Sequence, residues 1–590
     1  MFLNDELESK LKLACTENNY NCDNLFVEFS NAPQLADFQS NIAFFISKTV
    51  KLPPIKIAEQ LACTLNSKNY ENFIFSIAGA GFLNISLTNI GLSYYANKIL
   101  INKDFCVKKT NTPKLIFLDY GGANIAKSLH MGHLRSPIIG EALNRLYRLL
   151  GHKTISDVHL GDWGLQMGLV IASLKSDGIL DYYFKGKGNK PQITLDMLNE
   201  AYPKASLRMK EDLIFKKTAE DFTLFIQQGK QPYRKVFEEI KSVSITKIKQ
   251  NYAQLNCYFD LWLGESDAEP FVEQTINIFK EKNLTQDYDG ALIVNVAHEG
   301  ENQPIPKKND NDKQLYRNPM PPVFLKKSNG ADLYDTSDLA TIYMRNLQYS
   351  PDEIQYIVDE RQGTAHFEKI FRAAKMSGIS PENQILLHVG YGTMNGPDGK
   401  VFKTRDGGSI KLDDIINLVK TKAKDRLTEN GIKNDDKTAL SIGVAALKFC
   451  DLSNTVYKNY IFDVEKFCSF EGKTGPYIQY TGARIKSLLA KTDELDGKIL
   501  INLNEEKQIV LAIFKFLDSF EACFKNHSLS TLCLSLYEIC SAFSTFYNNI
   551  KILTQQNKTT RESYISLCKL VLRAIEIGLN TLAIDLPEKM

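Results

Sequence analysis

The stretch from Leu115 to Gly164 limits what this chain can fold into more than any other part of it. Leu115-Ile-Phe-Leu118 is a short, wholly apolar run of the kind required by a strand buried on both faces of a parallel sheet. A glycine-containing loop, Asp119 to Leu129, follows it. Apolar residues then recur at helical spacing (Leu134, Ile138, Ile139, Leu143, Leu146, Leu150) until Gly151 stops the helix. A second strand, about Thr154 to His159, runs into Gly161-Asp-Trp-Gly164. Strand, loop, helix and strand in that order specify an α/β class.

The rest of the chain is organised around that unit. At a typical size per domain, 590 residues correspond to roughly three to five domains. From Val27 to Leu87 the pattern predicts a helix over Asp37–Lys48, Pro53-Pro54, a helix over Ile55–Leu65, and a strand pair turning at Ala78-Gly-Ala-Gly81. This gives a small α+β domain over 1–108, with a linker near Asn102–Lys114. An α/β domain is expected over 109–424, interrupted at about 173–322 by a charged, mainly helical insertion with Lys/Asn/Asp-rich loops at Lys307–Lys313. Strand-like runs at Ile354–Val358 and Ile385–Val389 complete its sheet. Helical spacing in Leu440–Leu452, Ile509–Phe524 and Tyr564–Leu579 predicts an all-α bundle over 425–590.

Charge and cysteine usage exclude several function classes. Lys and Arg number 71 against 69 Asp and Glu, so no global polycation announces a nucleic-acid partner. No apolar run reaches the roughly 18 residues needed to span a bilayer. The opening residues, MFLNDELESK, carry acids where a signal peptide carries bases. A soluble, cytoplasmic protein without membrane contact is expected. The 11 cysteines are scattered and form no C-x-x-C pair, so no zinc or other protein-bound metal site is expected.

Chemistry concentrates in Asp119-Tyr-Gly-Gly-Ala-Asn-Ile-Ala-Lys-Ser-Leu-His-Met-Gly-His133. A helix opening after a strand offers unpaired N–H groups and partial positive charge to a phosphate. His130 and His133 stand one turn apart, Gly132 removes the side chain between them, and Lys127 adds a cation. Two other readings compete. A metal pair lacks the intervening Glu of an H-E-x-x-H site and a third nearby ligand. Ordinary surface histidines would account for one imidazole more readily than for two flanking a glycine.

His130-Met-Gly-His133 is similar to the H-x-G-H signature of class I aminoacyl-tRNA synthetases. Asn124 to Ser136, together with His159-Leu-Gly-Asp-Trp-Gly164, resembles the arginyl-tRNA synthetase family specifically. The likeness extends through Asp37–Ala43, Gly79–Asn84, Trp262-Leu-Gly-Glu-Ser266, Tyr334-Asp-Thr-Ser-Asp338, Asp359–Gln362 with His366, Glu471–Tyr480 with Arg484, and the ending Leu586–Met590. It implies a Rossmann-type catalytic domain, a small N-terminal additional domain, an anticodon-binding bundle, and a monomer. The implied reaction makes arginyl-adenylate from L-arginine and ATP and then transfers arginine to tRNA, with Mg²⁺ carried by the ATP phosphates.

The resemblance also assigns residues. Ala123, Asn124, Ile125, Ala126, Lys127, Ser128, Leu129, His130, Met131, Gly132, His133 and His366 would meet ATP, with Lys127, His130 and His133 catalytic. Asp119, Asn124, Tyr334, Asp338 and Gln362 would bind arginine. A guanidinium is a planar fork of donors with no acceptor, so carboxylates are the residues that select it. Asp338 competes with a helix N-cap reading of Thr-Ser-Asp, and Tyr334 with core packing. Where the class usually has K-M-S-K, Gly399–Gly408 stands instead, with Lys403 and Arg405 as the available catalytic cations. Gly121-Gly122 and Ala123 replace bulkier or stiffer family residues, which predicts a looser loop. From Thr421 onward 22 basic residues face 20 acidic ones, so tRNA recognition would rest on stacking and edge hydrogen bonds. Tyr547 and the terminal Met590 are the tRNA-binding candidates, with Phe543, Phe546 and Tyr547 expected ahead of a helix and open to a plain core reading. A nucleotidyltransferase outside translation would share the H-x-G-H but leave the helical C-terminus unexplained. A catalytically silent RNA-binding paralogue would not need His130, His133, Asp338 and Gln362.

Overall fold

Four parallel strands form one sheet: β1 (Leu115–Asp119), β2 (Lys153–Asp157), β3 (Glu353–Tyr356) and β4 (Ile385–His388), in the order β4-β3-β1-β2. The computed structural model describes the chain apart from residues 1, 23–24, 306–314, 318, 329–333, 397–398, 400–409, 433–434 and 493–496. At 2, 304–305, 315–317, 362 and 364 it describes the backbone. The stretch Lys307–Lys313, expected as a loop, lies outside the described residues. The chain divides into two compact units. One is Thr112–Val419 with Asn454–Val464, and the other is Met1–Asn111 with Lys420–Ser453 and Glu465–Met590.

In the first unit the apolar run is buried over Ile116–Leu118, with Leu115 half-buried, and strand register aligns the sheet's carboxyl edge. Asp157, Asp119, Tyr356 and His388 are successive partners across β2, β1, β3 and β4. The chain leaves β1 toward β2 and later returns to the other side of β1 as β3. The order therefore reverses beside β1, the place where open α/β sheets bind ligands. The helix α1 (Arg135–Leu149) follows β1 and buries Ile138, Ile139, Leu143 and Leu146. Gly140 permits this packing, because a Cβ there would lie 2.1 Å from the Tyr120 ring. The helices α2 (Tyr334–Tyr349) and α3 (Glu360–Ser377) flank β3, and Phe117, Ile354, Leu339, Ile342, Ile370 and Ala373 form a core between them. Each large aliphatic or aromatic side chain fully buried there contributes about 1.5–3 kcal/mol. The insertion supplies helices Leu165–Ser176, Leu195–Glu211, Leu213–Gln227 and Tyr233–Gln254, and a three-stranded antiparallel sheet of 285–288, 291–294 and 323–326. Its first helix begins at Leu165, ahead of the expected start of the insertion.

The second unit combines the N-terminal α+β part with the helical bundle. A four-stranded antiparallel sheet is flanked by helices Phe2–Glu17, Ile42–Val50, Pro54–Ser67 and Asn89–Ile101. The helix expected over Asp37–Lys48 begins only at Ile42. Residues Phe38–Ser40 form a strand against Leu83–Ile85, and the Asp37 carboxylate accepts the Leu87 N–H at 2.8 Å. Period-two burial of Phe38 and Ser40 outweighs the local helical spacing. The bundle consists of Asp436–Leu452, Gly475–Leu489, Asn504–Asn526, Ser530–Asn549 and Lys558–Thr581, with Leu412–Glu429 leading in.

Candidate active site

The loop after β1 is shaped by its two histidines. His130 is extended and caps a single turn, Met131–His133. Its Nδ1 accepts the Gly132 N–H at 3.1 Å, and the His133 Nδ1 accepts the His130 N–H at 3.1 Å. The rings lie 3.9 Å apart, centroid to centroid. Burial, reinforced by His130 and Lys127, lowers the His133 imidazole to about 3. Burial and then Lys127 lower that of His130, and burial lowers the Lys127 ammonium. At neutral pH both rings are therefore uncharged. Because each Nδ1 is an acceptor, the proton of each ring sits on Nε2, which makes both rings N–H donors.

The loop is held firmly, contrary to the expectation from its small residues. The Gly121 N–H donates to Ser136 Oγ at 2.8 Å, and the Gly121 carbonyl accepts from the Tyr252 hydroxyl at 2.5 Å. Ala126, at φ 63°, donates its N–H to Ser244 Oγ at 3.0 Å, while Ser128 is held through both N–H and Oγ by Asn199 at 2.7 and 2.8 Å. Tyr252, Ser244 and Asn199 all belong to insertion helices. Asn124 lies against Gly161, where a Cβ would stand 2.1 Å from Asn124 Oδ1, so the glycine of His159-Leu-Gly161 makes room for the loop. Ala123, Ile125, Ala126, Leu129 and Met131 are buried and shape the backbone. On its far side the loop meets Ile410–Leu412: the Met131 N–H donates to the Ile410 carbonyl and the Leu412 N–H to the Leu129 carbonyl. These residues directly follow the glycine-rich segment in which Lys403 and Arg405 were expected to act; both lie outside the described residues.

A row of acids lies at the same sheet edge. The Arg345 guanidinium, fully buried, donates to Asp119 at 2.7 Å and to Asp157 at 2.9 Å. Burial opposes its charge, but Asp119, Tyr356 and Asp157 raise the arginine further. Asp119, expected to face substrate, thus has one oxygen committed internally. Helix α2 starts at Tyr334, so Asp338 sits one turn inside it and the N-cap reading fails. Tyr334 is 70% exposed, so core packing does not account for it either. His366, expected against the nucleotide, stands with Nε2 at 2.5 Å from Asp338 Oδ2 and Nδ1 at 3.5 Å from Asp335 Oδ1. The backbone of Gln362 lies in the first turn of α3; its side chain is outside the described residues.

Sequence reasoning missed three contributors. Glu265, whose carboxyl is raised by burial first and by Asp338 among its charged neighbours, faces the same region as Asp338 and Tyr334. It stands inside the quoted Trp262–Ser266 motif, where a second acid was available to a search for guanidinium partners. Arg345 falls seven residues after Asp338, hence on the same helix face. Asn199 carried no signal at all. By contrast, Asp162 of the His159–Gly164 motif is structural: it accepts from Ser266 at 2.7 Å and pairs with Lys241 at 2.6 Å.

In the bundle unit, Tyr547 and Met590 line one cavity of about 460 Å³ with Tyr480, Arg484, Lys491 and Lys551. The Arg484 guanidinium lies 4.5 Å from the Tyr480 ring and 5.1 Å from the Tyr547 ring. Met590 packs on Ala423, Leu427, Ala439 and Ile442. Phe543, Phe546 and Tyr547 lie in the last turns of helix Ser530–Asn549, ahead of helix Lys558–Thr581, and the two phenylalanines are buried core. Among the described residues no cluster suited to a metal ion occurs, and no helix is long and apolar enough to cross a membrane.

A family profile described as tRNA synthetases class I (R), catalytic domain, matches residues 96–464. The arginine–tRNA ligase of Alkaliphilus oremlandii is 40% identical over 578 residues, 96% of this chain and 95% of that one. The chain belongs to the arginyl-tRNA synthetase family. The family's N-terminal domain profile matches residues 2–87 and the DALR anticodon binding domain residues 478–590. The arginine–tRNA ligase of Agathobacter rectalis is 39% identical, covering 96% of each chain. In fold, the arginyl-tRNA synthetase of Thermus thermophilus aligns at a TM-score of 0.78 with 21% identity over 100% of both chains. That of Plasmodium falciparum aligns at 0.79 with 24% identity over 100% of this chain and 99% of the other. The class I catalytic sheet and the helical C-terminal domain expected from the sequence are present.

Proposed function

We propose that this chain ligates arginine to tRNA with ATP, working at the carboxyl edge of the parallel sheet through the residues described above. The observation that carries the reading is the adjacency, beside β1, of an imidazole-lined phosphate loop and an acid pocket suited to a guanidinium. In the first step a carboxylate oxygen of arginine attacks the ATP α-phosphorus and pyrophosphate leaves. In the second, the 2′-hydroxyl of the terminal tRNA ribose attacks the activated carbonyl and AMP leaves. Such transfers need alignment and charge stabilisation more than covalent help.

The neutral His130 and His133 rings donate Nε2–H to phosphate oxygens as charge develops, and Lys127 adds a cation. Lys403 and Arg405 supply further positive charge to the pyrophosphate, and Mg²⁺ enters with ATP. Asp338 and Glu265, with the Tyr334 hydroxyl, take the guanidinium. Asp119, through the oxygen not held by Arg345, acts with Asn124 and Gln362 at the α-ammonium. Tyr547, Met590 and Arg484 receive anticodon-loop bases by stacking.

Arginine-dependent ATP–pyrophosphate exchange, run with and without tRNA bearing an arginine anticodon, tests the reading. Exchange that requires arginine, in either condition, supports it. A folded protein inactive in both is not this enzyme.

A further inference from the structure

Both nitrogens of His366 face carboxylates of helix α2: Nε2 is 2.5 Å from Asp338 Oδ2, and Nδ1 is 3.5 Å from Asp335 Oδ1. The two acids differ in their remaining partners. Asp335 is buried and engaged within the protein through Oδ2, which accepts the Phe324 N–H at 3.0 Å and the Lys369 ammonium at 2.6 Å. Asp338 is half-buried and, with Glu265 and Tyr334 close enough to interact electrostatically, belongs to the arginine pocket proposed above. A substrate guanidinium entering that pocket meets a carboxylate that already has a partner, and that partner can carry positive charge.

We propose that His366 is the positioning residue of the arginine pocket: it fixes the rotamer of Asp338 and, when protonated, competes with the substrate guanidinium for that carboxylate. This rests on the assignment of Asp338 to the guanidinium. The competition follows from elementary electrostatics. An imidazolium at 2.5 Å neutralises most of the field that would attract a second cation, whereas a neutral imidazole donating Nε2–H leaves the carboxylate its charge and fixes its orientation. Arginine binding in this arrangement expels a proton from His366.

The groups around the ring set where this happens. Burial opposes the imidazolium, the Asp338 hydrogen bond and the charges of Asp338 and Asp335 favour it, and Lys369 on the same helix opposes it; the net direction is upward. Beyond them, Glu265 and the buried Tyr356 face Asp338, and Phe367 lies between His366 and His388 at ring distances of 5.4 and 5.1 Å. None of these others contacts the imidazole nitrogens.

The test is the pH profile of KM for arginine in tRNA charging by the full chain, from about pH 5 to about pH 8, where histidine titrates. Wild type should show KM for arginine rising as pH falls below the raised His366 value, by up to about tenfold per pH unit, the limit for one competing proton. The profile of KM for ATP should not follow it. His366→Gln, which keeps a donor near Asp338 but cannot be protonated, should flatten the arginine profile. Lys369→Met should move the transition to higher pH, because it removes a charge that opposes the imidazolium. A merely structural His366 predicts none of these shifts. A flat wild-type arginine profile overturns the proposal, as does a His366→Gln enzyme that keeps the wild-type slope or a Lys369→Met transition that moves to lower pH. Asp338→Asn separates the two levels. If it leaves KM for arginine unchanged, the pocket assignment itself fails. If it raises KM strongly while the His366 profile stays flat, only the role of His366 fails.

Discussion

At the scale of single residues, the histidine pair and the acids obey different electrostatics. His133 is held neutral by burial, with an imidazole value near 3. Between the ordinary histidine range and that value the unfolded chain binds a proton that the folded chain refuses, so stability falls as pH falls through this window. The loss should reach the order of a few kcal/mol at its acid end. His133→Asn, which keeps an acceptor for the His130 N–H, should flatten stability against pH in denaturant titrations over that window. Arg345 presents the opposite case, a buried cation that two carboxylates keep charged. Arg345→Met leaves Asp119 and Asp157 together without a counter-charge, an arrangement that costs about 3–5 kcal/mol. The variant should melt at markedly lower temperature, and it should do so most at high pH, because burial already holds the Asp119 carboxyl above its usual range. The residues named from the sequence and those found only in three dimensions divide along this line. His130, His133 and Asp338 were legible because a local motif presents their chemistry. Arg345 was not, because its partners come from β1 and β2, far away in the chain.

At the scale of elements, the loop after β1 shows why a small-residue sequence need not be a flexible one. Gly121, Gly122 and Ala123 suggested looseness, yet insertion helices hold the loop at Gly121, Ala126 and Ser128. Those anchors lie 71 to 131 positions away in the chain, so no local reading could supply them. The same limit applied to Phe38–Ser40, where strand pairing with a later segment outweighs helical spacing. What the sequence did establish was what local patterning controls: the apolar strands, the helix α1 with its stop at Gly151, and the placement of Tyr334 and Asp338 one turn apart. The anchors have a measurable consequence. Asn199→Ala removes two hydrogen bonds to Ser128, each worth about 0.5–1.5 kcal/mol. Because Ser128 lies just ahead of His130, the cost should appear in kcat and in KM for ATP, by about tenfold, with KM for arginine little changed. Steady-state kinetics for the two substrates measure the difference, and equal losses for both would refute a role confined to the loop.

At the scale of the molecule, the unit holding the bundle closes around its own C-terminus. The buried Lys448 ammonium donates to the Ala583 carbonyl at 2.7 Å, and Gln479 donates to that of Asp585 at 2.6 Å. Leu586 packs where Gly482 has no side chain, and Lys486 meets Glu588 at 2.7 Å. This succession of anchors delivers Met590 to Ala423, Leu427, Ala439 and Ile442 and to the cavity beside Tyr547. The terminal methionine therefore forms part of the wall against which Tyr547 and Arg484 would receive a base. A chain ending at Lys589 loses that wall, but keeps the buried Lys448 and Gln479 anchors and with them the fold. Its melting temperature should stay close to wild type, while KM for tRNA in charging rises by about tenfold, the equivalent of about 1.4 kcal/mol of lost stacking and packing. Activation measured as pyrophosphate exchange at saturating tRNA should be little altered. If KM for tRNA is unchanged in the shortened chain, Met590 merely completes the hydrophobic core of the bundle.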